Sequence, residues 1–158
     1  MSLENNKVTI VPFSPELKDP IKLLNLAWLN KYFKVEPKDE LVLSNPQSEI
    51  IDKGEIIFYA QYNNQIVGTV SLIKINETTF ELTKMAVSEE SQGLGIGKKL
   101  MAHSINEALQ KGIQKLILYS NRKLETAIGL YLHFGFIEIP LEEGVYERAD
   151  IKMEKKLS

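Results

Sequence analysis

The stretch ELTKMAVSEESQGLGIGKKL, Glu81 to Leu100, decides how this chain folds. It begins as a strand, places glycines at 93, 95 and 97, and follows them at once with Lys98 and Lys99. Glycine loses more freedom on folding than any other residue, so such a cluster costs stability unless bare backbone has a use. Beyond it Gly97, Leu100, Met101, Ser104, Ile105, Ala108 and Leu109 recur at helical spacing and predict one amphipathic helix, ended by Gly112. In a strand, glycine turn and helix in that order, the first-turn amides of the helix have no intrahelical partner and suit an anion. Lys98 and Lys99 at that end oppose the helix macrodipole by roughly 0.3–1 kcal/mol each. A bound polyphosphate reverses the sign of that cost.

Competing phosphate motifs fit poorly. A Walker A loop needs a glycine at position 92 and a hydroxyl at position 99, where this chain has Gln92 and Lys99. The dinucleotide fingerprint accepts Gly93 and Gly95 but meets Lys98 where its third glycine belongs. A plain surface turn would account for the glycines alone. Glycines, lysines, preceding strand and following helix together favour anion binding.

Working outward, Lys7–Phe13 reads as a strand, Glu16–Phe33 as a helical segment, and Asn45-Pro46 as the start of a second helix that stops near Gly54. EIIFYAQYNNQIVGTVSLIKI is a hairpin turning at Asn63-Asn64, and TTFELTKMAV adds a third antiparallel strand. KLILYS is a buried-type strand, Leu124–Phe134 a helix closed by Gly135, and FIEI and YERADIKMEK are final strands. The predicted order is β-α-α-β-β-β-α-β-α-β-β, an α/β mixed sheet with helices packed on it, in one domain over residues 1–158.

Composition narrows the function classes. With 158 residues, 44% hydrophobic and 25% charged, the chain has the profile of a globular protein with a real core. A formal net charge of -2 argues against a nucleic-acid partner held by general basicity. The chain has no cysteine, which removes disulfides, thiolate metal sites and a cysteine nucleophile, and suits a reducing cytoplasmic setting. No apolar run reaches the ~20 residues of a membrane helix, and MSLENNK lacks the apolar core of a secretory signal. His103 and His133 have no carboxylate pattern beside them, so no metal is expected.

Gln92-Gly-Leu-Gly95-Ile-Gly97 resembles the Q/R-x-x-G-x-G/A signature of the GNAT superfamily, the acyl-CoA-dependent N-acetyltransferases. ELTKMAVSEESQGLGIGKKL resembles that family's fourth strand and pyrophosphate loop, AIGLYLHFGF its later helix with a tyrosine, and the element order agrees along nearly the whole chain. The resemblance implies the GNAT fold, a mostly antiparallel sheet splayed between strands 4 and 5. It also implies transfer of an acetyl group from acetyl-CoA to a primary amine by direct attack through a tetrahedral intermediate. Gln92, Gly93, Leu94, Gly95, Ile96, Gly97 and Lys98 would then hold the coenzyme A pyrophosphate. Met85, Ala86 and Val87 would bind the pantetheine arm through backbone, and an amide near Val87 would steady the oxyanion. Asn121 would contact the same arm; as a residue it reads equally as a turn or cap asparagine.

Acetyl transfer needs a neutral amine, and an aliphatic ammonium has a pKa of ~10.4, so a base must help. Glu81 resembles the glutamate that some members use there; its alternation with Phe80 and Leu82 also suits a solvent-facing residue. Ala127, Leu130, Tyr131 and Phe134 share one helical face, and the resemblance makes Tyr131 the acid that protonates the departing thiolate. The acceptor is a small-molecule amine or a peptide or protein amine. Tyr32, Phe33, Glu36 and Asp39 are possible linings of its pocket, and net acidity slightly favours a cationic amine or small polar acceptor over an anionic one. Arg148 and Asp150, two apart on a predicted strand, either grip an amino-acid-like substrate or form an exposed pair of little consequence. Edge strands near the C-terminus make a homodimer possible. A non-catalytic acyl-CoA-binding module is the alternative from another class.

Overall fold

The computed structural model describes residues 7–142 and 146–157, so all but Lys7 of the N-terminal segment read above for a signal lies outside the described residues. The chain runs β1 (Thr9–Pro12), α1 (Pro20–Tyr32), α2 (Pro37–Ser44), α3 (Pro46–Glu49), β2 (Ile56–Tyr62), β3 (Gln65–Lys74), β4 (Thr79–Val87), α4 (Ile96–Gln110), β5 (Lys115–Ser120), α5 (Glu125–His133), β6 (Ile137–Ile139) and β7 (Ile151–Lys156). The strands form one seven-stranded sheet in the order β1-β2-β3-β4-β5-β7-β6. Every adjacent pair is antiparallel except β4 and β5.

Local chemistry accounts for most of these boundaries. Asn63 and Asn64 take φ of 51° and 62° in the two-residue turn of the β2–β3 hairpin, the left-handed geometry that asparagine tolerates. Gly112 and Gly135 adopt φ of 76° and 90° just past α4 and α5 and stop those helices. The reading of Lys7–Phe13 shortens to a four-residue β1. The second helix does start at Pro46, but the sequence reading missed α2 before it. Pro37 opens α2, and a capping box joins Glu36 and Asp39, an acidic version of the familiar pattern.

Two apolar cores lie on opposite faces of the sheet. Along β2, Phe58 and Ala60 join the core under α4 and α5, while Ile57 and Tyr59 join the one under α1 and α2. Burial on both faces explains why β2 reads as an unbroken apolar run. In α1 the buried residues are Ile21, Asn25 and Leu29, one stripe at four-residue spacing. In α4 the predicted stripe is buried at Leu100, Met101, Ser104 and Ala108, but Leu109 is exposed.

Two departures from regularity create the site. β4 pairs with β5 only at Thr79–Glu81 opposite Lys115–Ile117; beyond that β4 follows β3 while β5 follows β7, and the sheet opens between them. β4 also carries a bulge: Thr83 pairs with Ser71 and Ala86 with Thr69, which leaves Lys84 and Met85 opposite Val70. Lys84 takes φ of 55° there. The bulge reverses the strand's alternation, since Phe80 and Leu82 pack on the α4 side before it and Met85 and Val87 after it. YERADI is a further correction: residues 146–150 are not strand, and β7 begins at Ile151. The Ala149 amide bonds the Tyr146 carbonyl at 3.2 Å, a turn that keeps this segment out of the ladder, and the Asp150 side chain accepts a hydrogen bond from the Arg122 amide at 2.9 Å.

Candidate active site

A cavity of about 1040 Å³ opens where β4 and β5 part. At one end it is bordered by Gln92, Gly93, Gly95, Ile96, Gly97 and Lys98, along its length by Met85, Ala86, Val87, Asn121 and Tyr131, and at the other end by Trp28, Phe33, Asp39, Lys84, Tyr119, Tyr146 and Arg148. The fold therefore gathers at one cavity nearly every residue the sequence singled out. Four are absent from its wall: Leu94, which is exposed, Glu81, which lies behind it, and Glu36 and Asp150, whose side chains bond elsewhere.

At the loop end Gly93 and Gly95 have φ of 87° and 75°, and a Cβ on either would meet nothing within 4 Å. Glycine is needed there for the left-handed backbone, and the space above it is free for a ligand. The first α4 hydrogen bond runs from the Lys99 amide to the Gly95 carbonyl at 3.1 Å, so the amides of Ile96, Gly97 and Lys98 have no partner within the helix. No acidic residue sits in that first turn, and Lys98 and Lys99 are exposed. Beyond Glu81, the β4 edge facing β5 has no strand against it. These features fit the phosphates and extended arm of a coenzyme A thioester: free amides, open space over glycine and an uncommitted strand edge.

Tyr131 lies on α5, buried against Phe136 with ring centroids 6.1 Å apart, and burial pushes its hydroxyl up to about 12. Asn121 borders the cavity, but its amide donates to the Arg148 carbonyl at 2.7 Å and its oxygen accepts from the Lys123 amide at 3.0 Å. It thus ties the segment before β7 to the end of β5. Glu81 is only 5% exposed, and the Tyr146 hydroxyl donates to its Oε2 at 3.4 Å. Burial raises its pKa, and Lys38 and Lys84 offset that only in part. Alternation placed Glu81 opposite Phe80 and Leu82 correctly; Tyr146, 65 residues away, reaches that face with its hydroxyl, and Lys38 and Lys84 lie near it.

The far end is a charged and aromatic chamber. Arg148 grips Asp39 with two bonds of 2.7 and 2.9 Å and reaches Glu36 at 2.9 Å, while its guanidinium lies 4.8 Å from the Tyr146 ring and 5.8 Å from Trp28. Asp39 is fully buried: burial alone would raise its carboxyl, but Arg148, the Glu36 amide and Lys84 together hold it below the usual range. Arg148 and Asp150 do not act as a pair, since Asp150 caps the Arg122 amide. Tyr32 and Phe33 border the cavity as expected, whereas Glu36 acts through Arg148. Sequence reasoning missed Asn25, Lys84, Tyr119 and Tyr146. Asn25 had a signal, a polar residue in the buried stripe of α1, and its amide donates to the Lys84 carbonyl at 3.1 Å and so holds the bulge.

The GNAT acetyltransferase family model matches residues 21–136, most of the chain. The chain belongs to that family. Among curated relatives, YvbK of Bacillus subtilis, named an N-acetyltransferase, is 28% identical over 102 residues, 62% of this chain and 65% of that protein. The ribosomal protein bS18-alanine N-acetyltransferase of Haemophilus influenzae is 33% identical over 87 residues, 54% of this chain and 58% of that protein. Matches to the first relatives cover 27% to 65% of those proteins' length. A GNAT-family acetyltransferase of Staphylococcus aureus Mu50 superposes with a TM-score of 0.86 at 24% identity, covering 96% of this chain and 100% of that one. YncA of Salmonella typhimurium, solved with its cofactor acetyl-CoA, superposes at 0.76 with 18% identity, covering 97% and 95%. At those identities the superpositions establish the GNAT fold. Among the described residues no group of three His, Cys, Asp or Glu is placed to hold a metal, and no helix is long and apolar enough to cross a membrane.

Proposed function

We propose that this GNAT domain transfers an acetyl group from acetyl-CoA to a primary amine. The observation that carries the reading is the single cavity, which joins the glycine loop of α4 to the charged chamber through the gap between β4 and β5. The amides of Gly93–Lys98 hold the pyrophosphate, and the Lys98 side chain adds positive charge. Met85–Val87 bind the pantetheine arm as an added strand, and an amide near Val87 points at the acyl oxygen, where negative charge develops. The bound coenzyme supplies an activated acetyl thioester. Its acceptor enters from the chamber of Trp28, Phe33, Tyr146 and Arg148.

Glu81 takes the amine proton. Because it lies behind the cavity wall, the proton reaches it through the Tyr146 hydroxyl or one water. Its raised pKa brings the carboxylate closer to a useful basicity. Tyr131 serves the sulfur. At about 12 its hydroxyl stays protonated at any working pH. A thiol near 8.5 lies ~3.5 units lower, which makes full transfer uphill by about 5 kcal/mol. Tyr131 therefore acts as a hydrogen-bond donor that stabilises the thiolate until solvent protonates it.

Thermal unfolding with acetyl-CoA, coenzyme A or ATP at matched concentration tests the cradle. At 100 times its dissociation constant a ligand adds ~2.7 kcal/mol. For a chain of this size that is roughly 5–10 °C at ~2–4 °C per kcal/mol. A rise with acetyl-CoA and little with ATP, followed by thiol release on adding primary amines, is the expected result. No rise with acetyl-CoA, or a larger one with ATP, refutes the reading.

A further inference from the structure

We infer that the acceptor amine carries a carboxylate, and that Lys84 is the residue that anchors it. The inference rests on the acetyltransferase reading for the site's purpose, but not for its geometry. Three cationic side chains, Lys38, Lys84 and Arg148, surround the Tyr146 ring at 4.6, 5.2 and 4.8 Å. They are not equivalent. Arg148 is spent on Asp39 and Glu36 through three short bonds. Lys38 is exposed. Lys84 has a side chain only 4% exposed and borders the cavity, and its ammonium makes one hydrogen bond among the described residues, to Asp39 at 3.4 Å.

That contact is the weakest of those Asp39 makes. Its Oδ2 accepts from Arg148 at 2.7 Å and from the Glu36 amide at 3.0 Å, and its Oδ1 accepts from Arg148 at 2.9 Å before Lys84 is counted. An ammonium has three donors, and a buried one is costly until they are used. Burial accordingly lowers the Lys84 pKa, and the proximity of Arg148 lowers it further, despite Asp39 and Glu81. An anion entering the cavity would supply the missing acceptors.

The bulge shows how the chain arranges this. On regular alternation Lys84 would follow Phe80 and Leu82 into the apolar core beneath α4. The extra residue at Lys84 and Met85 turns it to the face of Glu81, and Asn25 fixes the turn through the Lys84 carbonyl. Lys84 and Val87 are three residues apart, at most about 10 Å along a strand and less across the bulge, which is the scale of one small molecule. An amine and a carboxylate on one short skeleton can therefore reach the acyl group and the ammonium together. Trp28, Phe33 and Tyr119 line the same cavity with aromatic surface, which suits an apolar side chain.

The test compares free amino acids with their own primary amides, which differ only in the carboxylate. In the wild type, kcat/KM by thiol release should favour phenylalanine or leucine over the matching amide by at least tenfold. Lys84→Met should bring that ratio close to one, chiefly by raising KM for the acid, and Lys84→Arg should restore part of it. A structural role alone would slow acid and amide alike and leave the ratio unchanged, and that result overturns the inference, as does a wild-type preference for amides. A turnover-free readout separates this from the function itself: calorimetric titration of N-acetyl amino acids, as products, into wild type and Lys84→Met saturated with coenzyme A. Binding lost in Lys84→Met without any turnover upholds the anchor while the enzyme reading falls. No carboxylate binding to the wild type refutes the anchor, even if amines are acetylated.

Discussion

Tyr131 and Glu81 are both shifted upward by burial, yet the shift serves them differently. Tyr131 must remain protonated to donate, so fold and function agree. Its contribution to stability is complete below about pH 10, its ordinary value, and is lost as pH climbs through about 12. Tyr131→Phe keeps the packing against Phe136 and removes the donor; kcat should fall by roughly 10²–10³, the cost of one hydrogen-bond donor to developing charge, while coenzyme A affinity, read by calorimetry, stays within about twofold. Equal losses in kcat and affinity would make Tyr131 a structural residue. For Glu81 fold and function conflict. A raised carboxyl favours the folded state below the ordinary 4.5, and that contribution is lost as pH rises through the folded value, where the residue becomes a base. The kcat/KM profile should therefore rise along an acidic limb above 4.5 that Glu81→Gln removes. Helical spacing revealed the inward face that carries Tyr131. The burial of Glu81 was not legible, because Tyr146 reaches it from another part of the chain.

Two elements, α4 and β4, show how local departures serve the site. Lys98 opposes the α4 dipole and borders the cavity. Lys98→Glu should therefore stabilise the ligand-free protein by roughly 0.3–1 kcal/mol and weaken coenzyme A binding at the same time. Thermal melts with and without coenzyme A would show the two midpoints moving in opposite directions; movement together would mean the lysine does not meet the ligand. In β4 the bulge depends on Asn25, whose amide also donates to the Ile21 carbonyl at 2.8 Å and whose oxygen accepts from Trp28 Nε1 at 3.1 Å. Asn25→Ala leaves the Lys84 carbonyl and the indole N–H without this partner, at about 1–3 kcal/mol per orphaned group. Denaturant melts should record that loss, and acetyl transfer should fall further than the residual folded fraction explains. The glycine loop was legible because its residues are adjacent. The bulge was not, because Lys84 looks like any other strand residue until β3 sets the register.

At the scale of the molecule, the Asp39–Arg148 pair joins α2 to the segment before β7 across 109 residues. Removing one partner of a buried pair typically costs 3–5 kcal/mol, since the other charge is left uncompensated. Asp39→Asn should cost that much in chemical denaturation, and the wild type should lose stability as pH falls below 3.8 toward the lowered folded value. A melt unchanged by the substitution would mean that water or another side chain replaces the pair. The sequence by itself determined the strand, glycine loop and helix, the hairpin at Asn63-Asn64, the mixed sheet and the inward face of α5. Each follows from spacing between near neighbours, where backbone geometry is set. Only the tertiary structure decided that Arg148 answers Asp39 rather than Asp150, that Glu81 lies behind Tyr146, and that Lys84 turns into the cavity. Those outcomes come from pairings across 45 to 109 residues. Sheet register and charge compensation select such partners once the chain has closed, and no local pattern encodes them.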